Sequence, residues 1–164
     1  MKRRTLLFAS LIPLGTASAL FFSSRKSESM AKTLGKFEVA KTESQWRKIL
    51  TPEQFEVLRK EGTERAGTSP LTDEHRKGKF ACAGCNLALF TSETKFESGT
   101  GWPSFYAPIA NAVKTSVDTS FGATRTEVHC HRCGGHLGNV FEDGPKPTGL
   151  RYCMNGVAMK FISA

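Results

Sequence analysis

The sequence predicts an antiparallel, mainly β domain with a short helical lead-in. Three observations carry that expectation. After Gly67 the chain runs in short β-type stretches broken every several residues by Gly, Pro, Asn or Asp. No strand–helix–strand rhythm is visible, so a parallel sheet has no crossovers to build on. Two matched pairs, Cys82/Cys85 and Cys130/Cys133, mark tight turns far apart in the chain.

The chain has 164 residues, enough for one domain with a real apolar core and some extension. It opens Met1-Lys2-Arg3-Arg4, followed by a mostly apolar run from Leu6 to Phe22 that contains Ala17-Ser18-Ala19. A basic start, an apolar centre and an Ala-x-Ala exit predict an export signal within residues 1–29. Arg3-Arg4 ahead of Leu6-Leu7 suits the twin-arginine route. An uncleaved membrane anchor is the competing expectation, with Pro13, Gly15 and scattered Ser/Thr against it. A start at Met30 would instead leave a cytoplasmic protein. Residues 30–41 read as linker, and 42–164 as the folded domain.

The formal net charge is +8, but the first 29 residues hold five Lys/Arg against one Glu. The remainder carries 18 basic against 14 acidic residues, a net of +4 with no basic run. No nucleic-acid partner is expected from such a balance. A monomer is expected.

Two helices are predicted first. Thr42-x-x-Gln45 forms a capping-box pattern ahead of Trp46, Ile49 and Leu50. Thr51-Pro52-Glu53-Gln54 places a cap and a first-turn proline ahead of Phe55 and Leu58, with Gly62 as the stop. Strands are expected at 79–81, 87–90, 113–117, 124–130 and 150–154.

Cys82-Ala83-Gly84-Cys85 and Cys130-His131-Arg132-Cys133 are separated by 44 residues. A two-residue spacer lets both sulfurs of a turn face one ion, and two such turns complete a tetrahedral shell. Gly84, Gly134 and Gly135 are expected to supply the tight backbone. One structural zinc ion is the expected cofactor, held by all four cysteines. Two disulfides or two redox-active pairs are the other arrangements the spacing admits.

Cys153 is the fifth and unpaired cysteine. If Leu150 to Asn155 is a strand, Leu150, Tyr152 and Met154 share one face, and Arg151, Cys153 and Asn155 share the other. A guanidinium beside a thiol favours the thiolate, which is the nucleophilic form. A buried, inert cysteine is the alternative fate.

Five blocks carry a resemblance beyond these patterns: Cys82 to Cys85, Ser98 to Phe105, Cys130 to Gly138, Phe141 to Pro145 and Arg151 to Asn155. In that order they make the chain, from Glu43 to Phe161, resemble the B-type peptide methionine-(R)-sulfoxide reductases. The resemblance implies two antiparallel sheets packed together in a β-tent, with the zinc away from the active site. It implies an oxidoreductase of protein repair that reduces oxidised methionine in peptides or proteins. Cys153 would attack the sulfoxide sulfur and become a sulfenic acid. Trp102 would line the pocket for the substrate methyl group, with Phe105 and Asn139 as further substrate contacts. His136, Asp143, Arg151 and Asn155 would surround the nucleophile and the sulfoxide oxygen.

Two positions depart from the family pattern. Asn139 stands where a second histidine is common, and an amide is no acid. Proton delivery would fall to His136 or water, with activity surviving. Thr100 stands where many relatives carry a resolving cysteine. A one-cysteine cycle is therefore expected, recycled by an external thiol or a thioredoxin- or glutaredoxin-like partner. Two other functions fit the residues without the blocks. One is a zinc-ribbon binding module gripping a partner through Phe105, Tyr106 and Arg125. The other is a Cys153/His136 hydrolase or acyltransferase.

Overall fold

The computed structural model describes residues 37–119 and 124–164. The export signal or anchor expected within residues 1–29 lies outside them. Among the described residues no helix is long and apolar enough to cross a membrane.

Both helices form where the caps place them. In α1 (Glu43–Ile49) the Thr42 hydroxyl accepts from the Gln45 N–H, and Gln45 Oε1 accepts from the Thr42 N–H at 2.8 Å. In α2 (Pro52–Lys60) Thr51 and Gln54 repeat the box at 3.2 and 3.1 Å. These reciprocal bonds satisfy two of the amide donors that each helix start leaves free. α2 stops one residue before the glycine expected to end it. Glu61 takes the left-handed cap at φ 58, and the Gly62 N–H closes on the Glu56 carbonyl at 3.0 Å. Trp46, Leu50, Phe55, Val57 and Leu58 turn inward as the apolar face of the pair.

Among the described residues nine strands follow: β1 (Gly78–Cys82), β2 (Ala88–Thr91), β3 (Lys95–Phe96), β4 (Ser104–Phe105), β5 (Val113–Asp118), β6 (Arg125–Cys130), β7 (His136–Phe141), β8 (Arg151–Met154) and β9 (Met159–Ser163). They form two antiparallel sheets, ordered β2-β1-β9 and β3-β4-β8-β7-β6-β5. Of the five strands read from the sequence, all are present within a residue or two; Leu87, Thr124 and Leu150 fall outside theirs. β3, β4, β7 and β9 were not legible. β3 and β4 have two residues each and exist only through their pairing, Lys95 with Phe105 and Phe96 with Ser104.

The two sheets meet through aromatic rings. Phe105 of β4 stacks on Phe90 of β2 with centroids 4.3 Å apart and meets Phe80 of β1 edge-on at 4.9 Å. Leu137, Val128 and Met154 complete this layer, each fully buried. Phe105 is 0% exposed, so the expectation that it contacts substrate is corrected. An aromatic ring between two sheets is there for packing. Phe105→Ala is expected to lower unfolding free energy by roughly 3–5 kcal/mol in a urea titration, the usual range for emptying a buried aromatic site.

Candidate functional site

The two cysteine turns are built alike. Cys82 ends β1, and the Asn86 N–H returns to the Cys82 carbonyl at 2.9 Å with Asn86 at φ 62. Cys130 ends β6, and the Gly134 N–H returns to the Cys130 carbonyl at 2.8 Å with Gly134 at φ 64. In each turn the left-handed residue directly follows the second cysteine. In the first turn it is Asn86, not Gly84, since asparagine tolerates that conformation.

The four sulfurs all lie within 4.8 Å of one another. Cys82 and Cys133 are 3.7 Å apart, Cys85 and Cys130 3.5 Å. A zinc ion with Zn–S bonds of about 2.3 Å needs sulfurs about 3.8 Å apart, so the residues fit a tetrahedral ion. The four are free thiols, not disulfides. Their mutual hydrogen bonding splits them, driving Cys133 and Cys85 below the ordinary thiol value and Cys82 and Cys130 above it. Four thiolates at this spacing require a cation between them.

Cys153 sits apart from this cluster, on β8 between β4 and β7. The register places Ser104 and Asn139 directly opposite it, and Glu127 opposite Asn139. Paired residues share a face, so one row of polar side chains crosses four strands at the level of the thiol. Tyr152 and Met154 turn to the other face, as alternation predicts. Asn155 does not continue the row. β8 ends at Met154, and the buried Asn155 amide turns inward, donating to the Leu137 carbonyl at 3.1 Å and accepting from the Glu64 N–H at 2.9 Å.

β7 approaches β8 so closely here that a Cβ on Gly138 would strike the Cys153 carbonyl. Only glycine leaves room for that approach.

Arg151 binds Asp143 through two bonds, at 2.9 and 2.7 Å, and lies over the Phe141 ring at 4.5 Å. The pair holds the Asp143 carboxyl below its usual range and the guanidinium above its own. The thiol itself departs from the sequence expectation. Burial pushes Cys153 up from the ordinary value; the Thr100 hydroxyl, Arg151 and Ser104 pull the other way and do not overcome it. Desolvation wins because the sulfur is partly buried and the guanidinium is already committed to a carboxylate.

His136 is 6% exposed, with Nδ1 2.9 Å from Glu127 Oε1. Glu127 also faces His129 Nδ1 at 3.5 Å and accepts from the Ser116 hydroxyl at 2.5 Å. The histidines, His129 foremost, hold its carboxyl well below the usual range. His136 and Asn139 line one cleft of about 200 Å³ with Glu127, Lys60 and Arg125. The Asn139 amide donates to the Thr126 carbonyl at 3.3 Å.

Trp102 is half-buried and donates from Nε1 to the Glu64 carbonyl at 3.1 Å. Glu64 is the residue that sequence reasoning missed altogether. Its N–H bonds Asn155, its carbonyl bonds Trp102, and its carboxylate accepts from the Gly156 and Val157 N–H groups at 2.5 and 2.8 Å. One loop residue thus joins the Trp102 ring to the end of the Cys153 strand. Nothing in its sequence surroundings marks it, because its partners lie up to 93 positions away. Glu127 was missed too, although Arg125, Glu127 and His129 alternate onto one strand face and mark a charged row.

Fold and site together define an oxidoreductase domain in which four cysteines are positioned to hold a metal ion and a fifth lies apart from them. Residues 50–163 match the SelR domain. Peptide methionine sulfoxide reductase MsrB of Leptospira interrogans serogroup Icterohaemorrhagiae serovar Lai is 53% identical over 126 residues, covering 76% of this chain and 96% of that protein. MsrB of Methanosarcina barkeri is 56% identical over 124 residues, 75% of this chain and 87% of its own. MsrB of Thiobacillus denitrificans is 54% identical over 122 residues, 74% and 92% respectively. The chain belongs to the peptide methionine sulfoxide reductase MsrB family.

Glu64→Gln keeps the backbone links to Trp102 and Asn155 but sets an amide N–H₂ against one of two backbone donors. Hydrogen bonds to charged groups contribute about 1.5–3 kcal/mol, so thermal unfolding is expected to register a loss of that order.

Proposed function

We propose that this chain reduces methionine-(R)-sulfoxide in peptides or proteins to methionine, with Cys153 as the nucleophile. The observation that carries the reading is the separation of sulfurs: four converge on one point, and Cys153 stands alone in the polar row of an inner strand. The relatives that share most of the chain bear the name of this activity.

The thiolate of Cys153 attacks the sulfoxide sulfur, and the sulfoxide oxygen takes up a proton. The oxygen passes to the Cys153 sulfur as the new sulfur–sulfur bond breaks; methionine leaves as the thioether with that electron pair, and Cys153 is left as a sulfenic acid. One external thiol then displaces water from the sulfenic acid to give a mixed disulfide. A second external thiol releases Cys153 and leaves as the oxidised reductant, a small disulfide or a thioredoxin- or glutaredoxin-like protein. Trp102, fixed through its N–H, offers an aromatic face for the substrate methyl group. Arg151 and Asp143 supply fixed charge beside the sulfur. His136, oriented by Glu127, and water are the proton donors in the absence of a histidine at position 139. Asn155 and Glu64 hold this machinery rather than touch the substrate.

The rival binding-module reading loses Phe105, which is wholly inside, and keeps only Tyr106 and Arg125 of its three residues. For the four-cysteine centre we propose zinc, which supplies a closed structural shell with no coordination position for substrate. The basic and apolar start with its Ala-x-Ala supports export, by the twin-arginine route where a folded, metal-loaded chain must cross.

Wild type is expected to reduce the R diastereomer of an N-blocked methionine sulfoxide and leave the S form. Cys153→Ser is expected to reduce neither, and mass spectrometry after one turnover should find a sulfenic acid at Cys153 with no internal disulfide. Purification without added metal should return one zinc per chain. Its removal by chelation is expected to lower the unfolding temperature and to be reversed by zinc alone.

A further inference from the structure

Three hydroxyls run in a line from the Cys153 sulfur. Thr100 Oγ1 lies 3.9 Å from Sγ and 2.8 Å from Ser98 Oγ. Ser98 Oγ lies 2.7 Å from Ser104 Oγ, which lies 3.2 Å from the Trp102 carbonyl. The carbonyl settles the direction of the line, because it only accepts. Ser104 therefore donates to Trp102, Ser98 to Ser104 and Thr100 to Ser98, each hydroxyl having a single proton. The neutral thiol then donates to Thr100. Every proton in the line points away from sulfur.

Ionisation of the thiol removes the donor at one end and creates an anionic acceptor there. The Thr100 hydroxyl, at 3.9 Å, can rotate onto it, joining Arg151 and Ser104, which also face the sulfur. Ser98 is not stranded by that rotation, since the Thr100 N–H approaches its oxygen at 3.4 Å. Ser104, 1% exposed and paired across the sheet with Cys153, donates to the Trp102 carbonyl in this line and also faces the sulfur. The loop carrying Thr100 is held from outside by the Gly67 N–H on the Gly101 carbonyl at 2.7 Å.

We propose that Thr100 is a catalytic residue of this chain, its hydroxyl turning from Ser98 onto the Cys153 sulfur when the thiolate forms. Ser98 and Ser104 are the positioning residues that keep the hydroxyl within reach. The assignment rests on Cys153 being the nucleophile. A hydrogen bond to an ionised acceptor is about twice as strong as a neutral one, so the donor favours the thiolate over the thiol. Here it opposes the burial that pushes the Cys153 thiol up. After oxygen transfer the same hydroxyl faces the sulfenic acid.

The test is the pH dependence of iodoacetamide alkylation at Cys153, read by mass spectrometry on the metal-loaded full chain. Thr100→Val, which keeps the shape and loses the hydroxyl, is expected to raise the midpoint by about one pH unit. Thiolate below the midpoint then falls about tenfold. Thr100→Ser is expected to restore the wild-type midpoint, and Ser98→Ala to move it less than Thr100→Val. Coincident midpoints in wild type and Thr100→Val overturn the assignment, as does a Thr100→Ser midpoint that stays with Thr100→Val. Turnover persisting in Cys153→Ser would instead remove the nucleophile itself, and the Thr100 assignment with it.

Discussion

Four sulfurs held within a few ångströms of one point are the constraint on which the rest of this molecule depends. Like charges at that distance do not coexist without a cation. With one, they clamp the β1–β2 hairpin of the small sheet to the β6–β7 hairpin of the large sheet. The large sheet leaves this clamp through β7, and β7 pairs directly with the strand that carries Cys153. The position of Cys153 is thus tied, through β7, to the four-cysteine cluster on other strands. Packing takes over where the clamp ends, with the rings of Phe80, Phe90 and Phe105 between the sheets.

The site follows from what an inner strand allows. Hydrogen-bonded on both sides, β8 holds Cys153 with little freedom, and the close approach at Gly138 tightens it further. Selectivity and charge must then come from side chains that reach in from neighbours. Arg151 lies two residues along the same strand, Asn139 and Ser104 face across from adjacent strands, and Trp102 and Thr100 arrive on a loop. Glu64 joins the last group to the first. The balance of forces on the sulfur is a contest between burial, which favours the thiol, and short-range donors, which favour the thiolate. Burial outweighs those donors and holds the Cys153 thiol above its ordinary value.

Much of this was legible in the chain. Capping boxes at Thr42 and Thr51 set both helix starts, and their reciprocal bonds are local, so local sequence suffices. The cysteine spacing identified the four sulfurs that converge on one point, because a two-residue spacer is itself a geometric statement. Alternation placed Tyr152 and Met154 opposite Cys153. It failed at Asn155, where the strand ends one residue earlier and the amide is drawn inward by Glu64 and Leu137. Phe105 was misjudged because a residue beside a functional motif looks functional, whereas its ring is what joins the sheets. β3 and β4 escaped because a two-residue strand has no period to detect. Glu64 and Glu127 act through partners on other elements, and only folding brings those partners together.

Burial closes off three of the five cysteines and leaves two partly open. Cys82, Cys130 and Cys133 are at most 2% exposed, whereas Cys85 of the four-sulfur cluster and Cys153 each keep part of their surface open. On the proposed cycle, a peroxide that reaches Cys153 leaves it as the sulfenic acid through which turnover already passes. The reductant that completes that cycle would erase the injury as well, and a metal ion held by the cluster would cover the Cys85 sulfur that burial leaves open.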